Sequence, residues 1–75
     1  MSRIQNPCLN DVTKIVQALY DRGIIYFDDI KDLSAQINNE AWSLYGSGSY
    51  REYINDALQA ASTCENLNEF RRMIL

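Results

Sequence analysis

The chain has 75 residues and carries ten acidic against seven basic residues, a formal net charge of −3. At this length we expect one domain, residues 1–75, that buries only about 62% of the surface of its unfolded chain. The acidic balance works against attraction to nucleic-acid backbones or anionic lipids, and no apolar run is long enough to span a bilayer. We therefore expect a cytoplasmic protein that contacts no membrane, with nucleic acid a disfavoured partner.

The same composition argues against most catalytic chemistry. The chain has no histidine, and its two cysteines, Cys8 and Cys64, are isolated from each other in the sequence. They cannot complete a zinc site, and neither a cysteine nor a serine nucleophile has a conventional base. We expect no enzymatic activity, no metal and no cofactor. Because a chain of this length forms only a small core, association of the domain with a second copy or with another protein is also favoured.

The first predicted element is a helix that ends at Gly23. Asn6 and Pro7 have the order of an N-cap and a first helical residue, and Asn10 is an alternative cap one turn later. Gly23 stands where a left-handed residue commonly ends a helix. The apolar positions of this helix repeat at three- and four-residue spacing: Val12, Ile15, Val16, Leu19 and Tyr20.

A short apolar segment, Ile24–Phe27, separates this helix from the next. It has no second strand-like segment to pair with, so we interpret it as a buried connector. Asp28 is predicted to cap the second helix, Gly46 to end it, and residues 46–49 to form a flexible loop. The apolar face of the second helix is Ile30, Leu33, Ile37, Ala41 and Leu44.

Two capping-box patterns follow the loop. Ser49 and Glu52 predict the start of a third helix, and Ser62 and Glu65 predict either a fourth helix or a kinked continuation of the third. The fold class is therefore all-α, a compact bundle of three to four short helices. Its expected core is Val12, Ile15, Leu19, Ile30, Leu33, Ile37, Ile54, Leu58, Leu67 and Phe70.

Asp28, Asp29 and Asp32 form an acidic cluster at the start of the second helix. Carboxylates in this position favour the positive end of the helix dipole, which is the interpretation we prefer. Contact with a partner is the alternative. The spacing lacks the glycine and the oxygen ligands of a calcium loop.

Cys8 lies near the predicted start of the first helix, where the helix dipole can lower the pKa of a thiol. A packed, reduced cysteine is the simpler interpretation, with redox sensing as the functional alternative. The loop at residues 46–49 matches neither a nucleophile elbow nor a phosphate-binding loop, which indicates a linker.

Aromatic residues are the most informative feature, since five tyrosines and one tryptophan are many for this length. Trp42 lies off the apolar face of the second helix, and Tyr45 and Tyr50 flank the loop with Arg51 beside them. Tyr, Trp and Arg are enriched in binding hot spots. We predict a partner-binding surface at Trp42, Tyr45, Tyr50 and Arg51, with Asp28, Asp29 and Asp32 as outlying contacts. The alternative is that these rings only close the ends of the core.

A helix-turn-helix interpretation fits the order of the first two helices but not their charge. A recognition helix places its first residues beside phosphate, whereas this one opens with aspartates. The preferred hypothesis is a non-catalytic acidic protein that regulates or inhibits a larger protein or complex, as an adaptor or a phage-type inhibitor does. A nucleic-acid-binding regulator and a redox-sensitive protein using Cys8 are the alternatives.

Overall fold

The computed structural model describes residues 8–74, which form four α-helices and no strand. The helices are α1 (Leu9–Asp21), α2 (Phe27–Leu44), α3 (Gly48–Thr63) and α4 (Leu67–Ile74). The prediction of a short all-α bundle is confirmed. The open question about α4 is also answered, because extended backbone at Cys64 separates it from α3.

Helices α1, α2 and α3 contact one another, and α4 packs against α3 among the described helices. The buried side chains meet where α1, α2 and α3 converge, and Phe70 of α4 is fully buried with them. Small residues on α3, Ala57, Ala60 and Ala61, are buried and allow close approach of the neighbouring helices. No described helix combines the length and apolar character required to cross a bilayer.

Seven of the ten predicted core residues are buried, and Ile30, Leu58 and Leu67 are only partly buried at its edge. The connector prediction is correct for Ile25, which is 1% exposed, but wrong for the exposed Tyr26 and Phe27. The remaining buried residues are Cys8, Val16, Ile25, Ala41, Tyr50, Ala57, Ala60, Ala61 and Cys64.

Both predicted helix-ending glycines are confirmed. Gly23 has φ of 76° and Gly46 has φ of 90°, a region that side chains with a Cβ rarely adopt. At the end of α1, Gly23 N donates to Tyr20 O at 3.0 Å and Ile24 N donates to Leu19 O at 3.0 Å. This paired pattern satisfies the last carbonyl groups of α1 and turns the chain into α2.

The predicted start of α2 is displaced by two residues. Asp28 is not the cap, because α2 begins at Phe27 and Tyr26 precedes it. Tyr26 N donates to Asp29 Oδ2 at 3.0 Å, and Asp29 N donates to Tyr26 O at 2.9 Å. The aspartates therefore stabilise the first turn from inside the helix. In α1, Asn10 lies inside the helix and is not a cap, while Asn6 and Pro7 lie outside the described residues.

The predicted capping boxes of α3 and α4 are both wrong. Helix α3 begins at Gly48, so Gly48 and Ser49 belong to its first turn and not to a loop. Ser62 lies within α3, where its Oγ donates to Leu58 O at 3.1 Å.

The real cap of α4 is Asn66. Its Oδ1 accepts from Glu69 N at 2.8 Å, and the Glu69 carboxylate accepts from Glu65 N at 2.7 Å. Ser-x-x-Glu also occurs inside helices, so the pattern alone could not select the correct start.

Candidate functional site

Trp42, Tyr45 and Arg51 are exposed, as the sequence predicts. Trp42 is 46% exposed and Tyr45 is 53% exposed, and Arg51 lies on the first half of α3. Tyr45 and Tyr50 also lie close together, with ring centroids 5.1 Å apart in an edge-to-face arrangement. These residues give the C-terminal end of α2 an aromatic surface.

Tyr50 does not face water, which corrects the sequence-based prediction. It is 7% exposed, and its hydroxyl donates to Asp11 Oδ2 at 2.6 Å. The error comes from the start of α3: with Tyr50 inside the helix, it lies one turn before Ile54 on the buried face. Tyr50 therefore links α3 to α1 through its bond to Asp11, and its ring packs edge-to-face against the exposed ring of Tyr45.

Burial changes the ionisation of two tyrosines. Desolvation raises the pKa of Tyr50, and the hydrogen bond to the Asp11 carboxylate and the charge of that carboxylate raise it further, with a smaller contribution from Cys8. Burial, with a smaller contribution from Glu40, raises the pKa of Tyr53 to about 12. The protonated phenols are therefore more stable in the folded chain than in the unfolded one.

We expect the domain to lose stability in strongly alkaline solution. Because the pKa of Tyr53 rises from 10.0 to about 12 on folding, its contribution is complete below pH 10 and is lost as the pH rises towards 12. Melting temperatures measured between about pH 8 and pH 12 should fall less steeply in Tyr53→Phe and Tyr50→Phe than in the parent. Tyr26→Phe, at an exposed ring, is the control. Equal slopes in all four proteins would contradict the assignment.

The three carboxylates of the acidic cluster, those of Asp28, Asp29 and Asp32, do not form a common binding site. Asp28 and Asp32 are exposed, while Asp29 is half-buried and accepts from Tyr26 N. Across residues 8–74, no group of three or more cysteine, aspartate or glutamate side chains is placed to hold a metal ion. Asp28 and Asp32 remain available for contact with a partner.

The most exposed aromatic residues were missed by the sequence-based prediction. Tyr26 is 75% exposed and Phe27 is 76% exposed, at the opposite end of α2 from Trp42. Extending the helical period of α2 back to Phe27 would have indicated the exposure of Phe27, since it lies about 80° from Ile37 around the helix axis. The apolar character of the segment instead suggested burial.

A groove of about 110 Å³ runs between α1 and α2. Its walls are Thr13, Val16, Gln17 and Tyr20 from α1, and Ile30 and Ser34 from α2. A larger concavity of about 580 Å³ is lined, in the described part of the chain, by Asn66 and residues of α4 alone, and its lining is mainly polar. The α1–α2 groove is thus the concave site with apolar walls on two helices.

Three of the large exposed apolar side chains, Leu9, Tyr20 and Phe27, lie on the groove side of their helices. On ideal helix geometry, Phe27 lies about 20° from Ser34 around α2, and Leu9 lies about 20° from Val16 around α1. Trp42 lies farther around α2, about 60° from Phe27 and about 80° from Ser34, and so flanks the groove side of the helix. We call Leu9, Tyr20, Phe27 and Trp42, together with the groove-lining Val16 and Ile30, the α1–α2 face.

Comparison with protein-family models, with curated proteins and with solved structures gives no match to this chain.

The two cysteines contribute to the core. Cys8 and Cys64 are both reduced and 0% exposed. Arg22 of the α1 terminus donates to Ala61 O at 2.7 Å and lies 3.7 Å from Cys64 Sγ, so the Cys64 thiol is covered by a guanidinium. A thiol must be accessible to act as a redox sensor, and burial opposes that role for Cys8.

We expect both thiols of the native protein to react slowly with a disulfide reagent and rapidly in denaturant. Replacing Cys8 and Cys64 together with Ala should lower the free energy of unfolding by about 1–2 kcal/mol per site and leave partner binding intact. Reagent kinetics followed by absorbance test the first statement. Rapid reaction of Cys8 with the reagent in the native protein would instead support the redox alternative.

Proposed function

We propose that this chain is a non-catalytic protein that binds a larger protein partner and regulates or inhibits it, as an adaptor or a phage-type inhibitor does. The observation that carries the proposal is the distribution of exposed apolar side chains. Of seven large ones in residues 8–74, six lie on α1, on α2 or at their ends, one lies on α4 and none lies on α3. A concentration of exposed apolar side chains on two contacting helices supports an interaction surface there.

The residue types support the same proposal. Tyrosine, tryptophan and phenylalanine are enriched at the centres of protein interfaces, and truncating such a residue at a hot spot costs 2 kcal/mol or more. Phe27 and Trp42 are exposed without being required to fill the core. The exposed surface of these rings, 76% of Phe27 and 46% of Trp42, adds little to the stability of the fold, and we assign it to binding.

The dimensions of the α1–α2 face suit one interface. Phe27 and Trp42 are separated by fifteen residues of α2, a rise of about 22 Å. A standard interface covers about 800 Å² on each partner, roughly 32 Å across if circular. Both aromatic side chains therefore fit beneath a single partner, with Tyr45 at the edge.

Site-specific photo-crosslinking in the cells of origin tests the proposal. A benzophenone amino acid is introduced at Phe27 or at Trp42, and at exposed Gln59 of α3 as the matched control. We expect one adduct of defined mass from the first two positions and none from the third. Absence of an adduct at both Phe27 and Trp42, or equal labelling at Gln59, would contradict the proposal.

A further inference from the structure

We infer that the α1–α2 face binds the same face of a second copy of the chain, in an antiparallel arrangement about one two-fold axis. This dimer goes beyond the proposed function, because it gives the face a second occupant that competes with the partner. Three features support the dimer: the positions of the large exposed side chains along α1 and α2, the charge of the face and its area.

The large exposed side chains of α2 are placed symmetrically about the middle of the helix. Phe27 and Trp42 are its large exposed apolar residues, 76% and 46% exposed. The midpoint between them falls between Ser34 and Ala35. Because a two-fold interface joins the same surface of both subunits, an axis at this midpoint places Phe27 of each copy opposite Trp42 of the other. The short side chains of Ser34 and Ala35 then lie beside the axis, where they allow the two helices to approach closely.

The exposed apolar side chains of α1 have the same symmetry. Leu9 is 57% exposed and Tyr20 is 42% exposed, and both lie on the groove side of α1. Helix α1 ends at residue 21 and α2 begins at residue 27, so in this pair of antiparallel neighbours two residues lie at the same height when their numbers add up to about 48. The midpoints on α1 and α2, at positions 14.5 and 34.5, add up to 49 and so lie within about 1.5 Å of the same height. One axis therefore serves both helices, and it places Leu9 of each copy opposite Tyr20 of the other.

The charge of the face favours the antiparallel arrangement over a parallel one. Six residues of α2 lie within an arc of about 100° on this side, and Lys31 is the one among them with a charge: Phe27, Lys31, Ser34, Ala35, Asn38 and Trp42. In the antiparallel dimer Lys31 lies opposite Asn38 of the second copy, and the Cα atoms of the two Lys31 residues are about 10 Å apart along the helix axis. Repulsion over that distance is largely screened at physiological salt, where the screening length is about 8 Å. A parallel dimer would instead place one Lys31 directly against the other.

The area of the face is sufficient for a weak dimer. Helix α2 has 18 residues and is about 27 Å long, and two contacting helices side by side are about 20 Å wide. The face therefore measures about 500 Å² on each copy, and the dimer buries about 1,000 Å² in total, the lower limit for a specific interface. We expect a dimer Kd of roughly 10–100 μM. A partner that binds the same rings more tightly displaces the second copy.

Sedimentation equilibrium of the purified full chain tests the inference. We expect a monomer–dimer equilibrium, in which Phe27→Ala and Trp42→Ala each raise the dimer Kd by about tenfold or more, because each change removes both contacts between these rings. Met73→Ala is the matched control, since Met73 is 53% exposed but lies on α4, and its Kd should equal that of the parent. Circular dichroism verifies that each variant is folded.

Disulfide formation between cysteine variants tests the direction of the helices. Lys31→Cys and Asn38→Cys are given different mass tags, mixed and oxidised, with Cys8 and Cys64 retained because both are buried. In the antiparallel dimer the substituted positions of the two variants lie opposite each other, within reach of a disulfide. Mixed disulfides should therefore exceed the half that random pairing gives.

Three results would overturn the inference: a chain that stays monomeric up to about 1 mM, a dimer Kd that Phe27→Ala and Trp42→Ala leave unchanged, or disulfides mainly between identical variants. The proposed function would still stand if photo-crosslinking at Phe27 in the cells of origin gives an adduct whose mass differs from twice that of the chain. Adducts of twice the chain mass alone would support the dimer and contradict the proposed function.

Discussion

Replacing Phe70 with Ala is expected to lower the free energy of unfolding by about 3–5 kcal/mol. Phe70 is 0% exposed and is the largest fully buried side chain of the described residues. Helix α4 has eight residues, too few to be stable alone in water, and it packs against α3. Loss of the Phe70 ring should therefore detach α4 from the bundle and expose the core residues that it covers.

Urea unfolding followed by circular dichroism measures this effect, with Met73→Ala as the control on the same helix. Met73 is 53% exposed, so its truncation should change stability by about 0.5 kcal/mol or less. A domain of this size has little stability in reserve, and we expect Phe70→Ala to be partly unfolded without urea. Equal stabilities of the two variants would contradict the position of α4.

Phe27→Ala and Trp42→Ala are each expected to raise the Kd for the partner identified by crosslinking by about thirtyfold or more. Phe27 is 76% exposed, so its truncation should leave the melting temperature nearly unchanged, and truncation of Trp42, which is 46% exposed, should lower it modestly. Asp28→Ala and Arg51→Ala, at exposed positions, should have smaller effects, because contacts at an interface rim mainly alter the rate of association. Calorimetry of folded variants gives the comparison directly.

Tyr45 and Tyr50 are expected to have different roles, binding for Tyr45 and stability for Tyr50, although the sequence analysis placed both in the binding surface. Tyr45→Ala should weaken binding with little loss of stability, whereas Tyr50→Ala should lower stability because its ring is buried and its hydroxyl bonds Asp11. If Phe27→Ala and Trp42→Ala bind as tightly as the parent, the partner uses another surface and these rings are not hot spots.

Helix identity and helix ends at glycine could be predicted from the sequence because both are determined locally. The apolar repeat through Leu33, Ile37 and Ala41 identifies α2, and Gly23 and Gly46 adopt positive φ as their positions indicate. The first residues of the helices were harder to predict from the sequence. A serine or aspartate followed by an acidic residue fits several registers, and backbone bonds such as that between Asp29 N and Tyr26 O decided among them.

The candidate site was harder to predict because exposure depends on how the helices pack. Burial of Tyr50 depends on Asp11, which is 39 residues away in the sequence. Exposure of Tyr26 could not be predicted from the period of α2, because Tyr26 precedes the first residue of that helix. The periodicity of α2 was sufficient for Trp42, since a residue well outside an apolar face lies in solvent whatever the partner helix.

Amide chemical-shift mapping of the labelled chain on titration with the crosslinked partner tests the central claim most directly. We expect the largest changes on the α1–α2 face, at Leu9, Tyr20, Phe27, Trp42 and their neighbours, with little change at exposed residues of α3 such as Gln59. Changes concentrated on α3 and α4, with the α1–α2 face undisturbed, would contradict it.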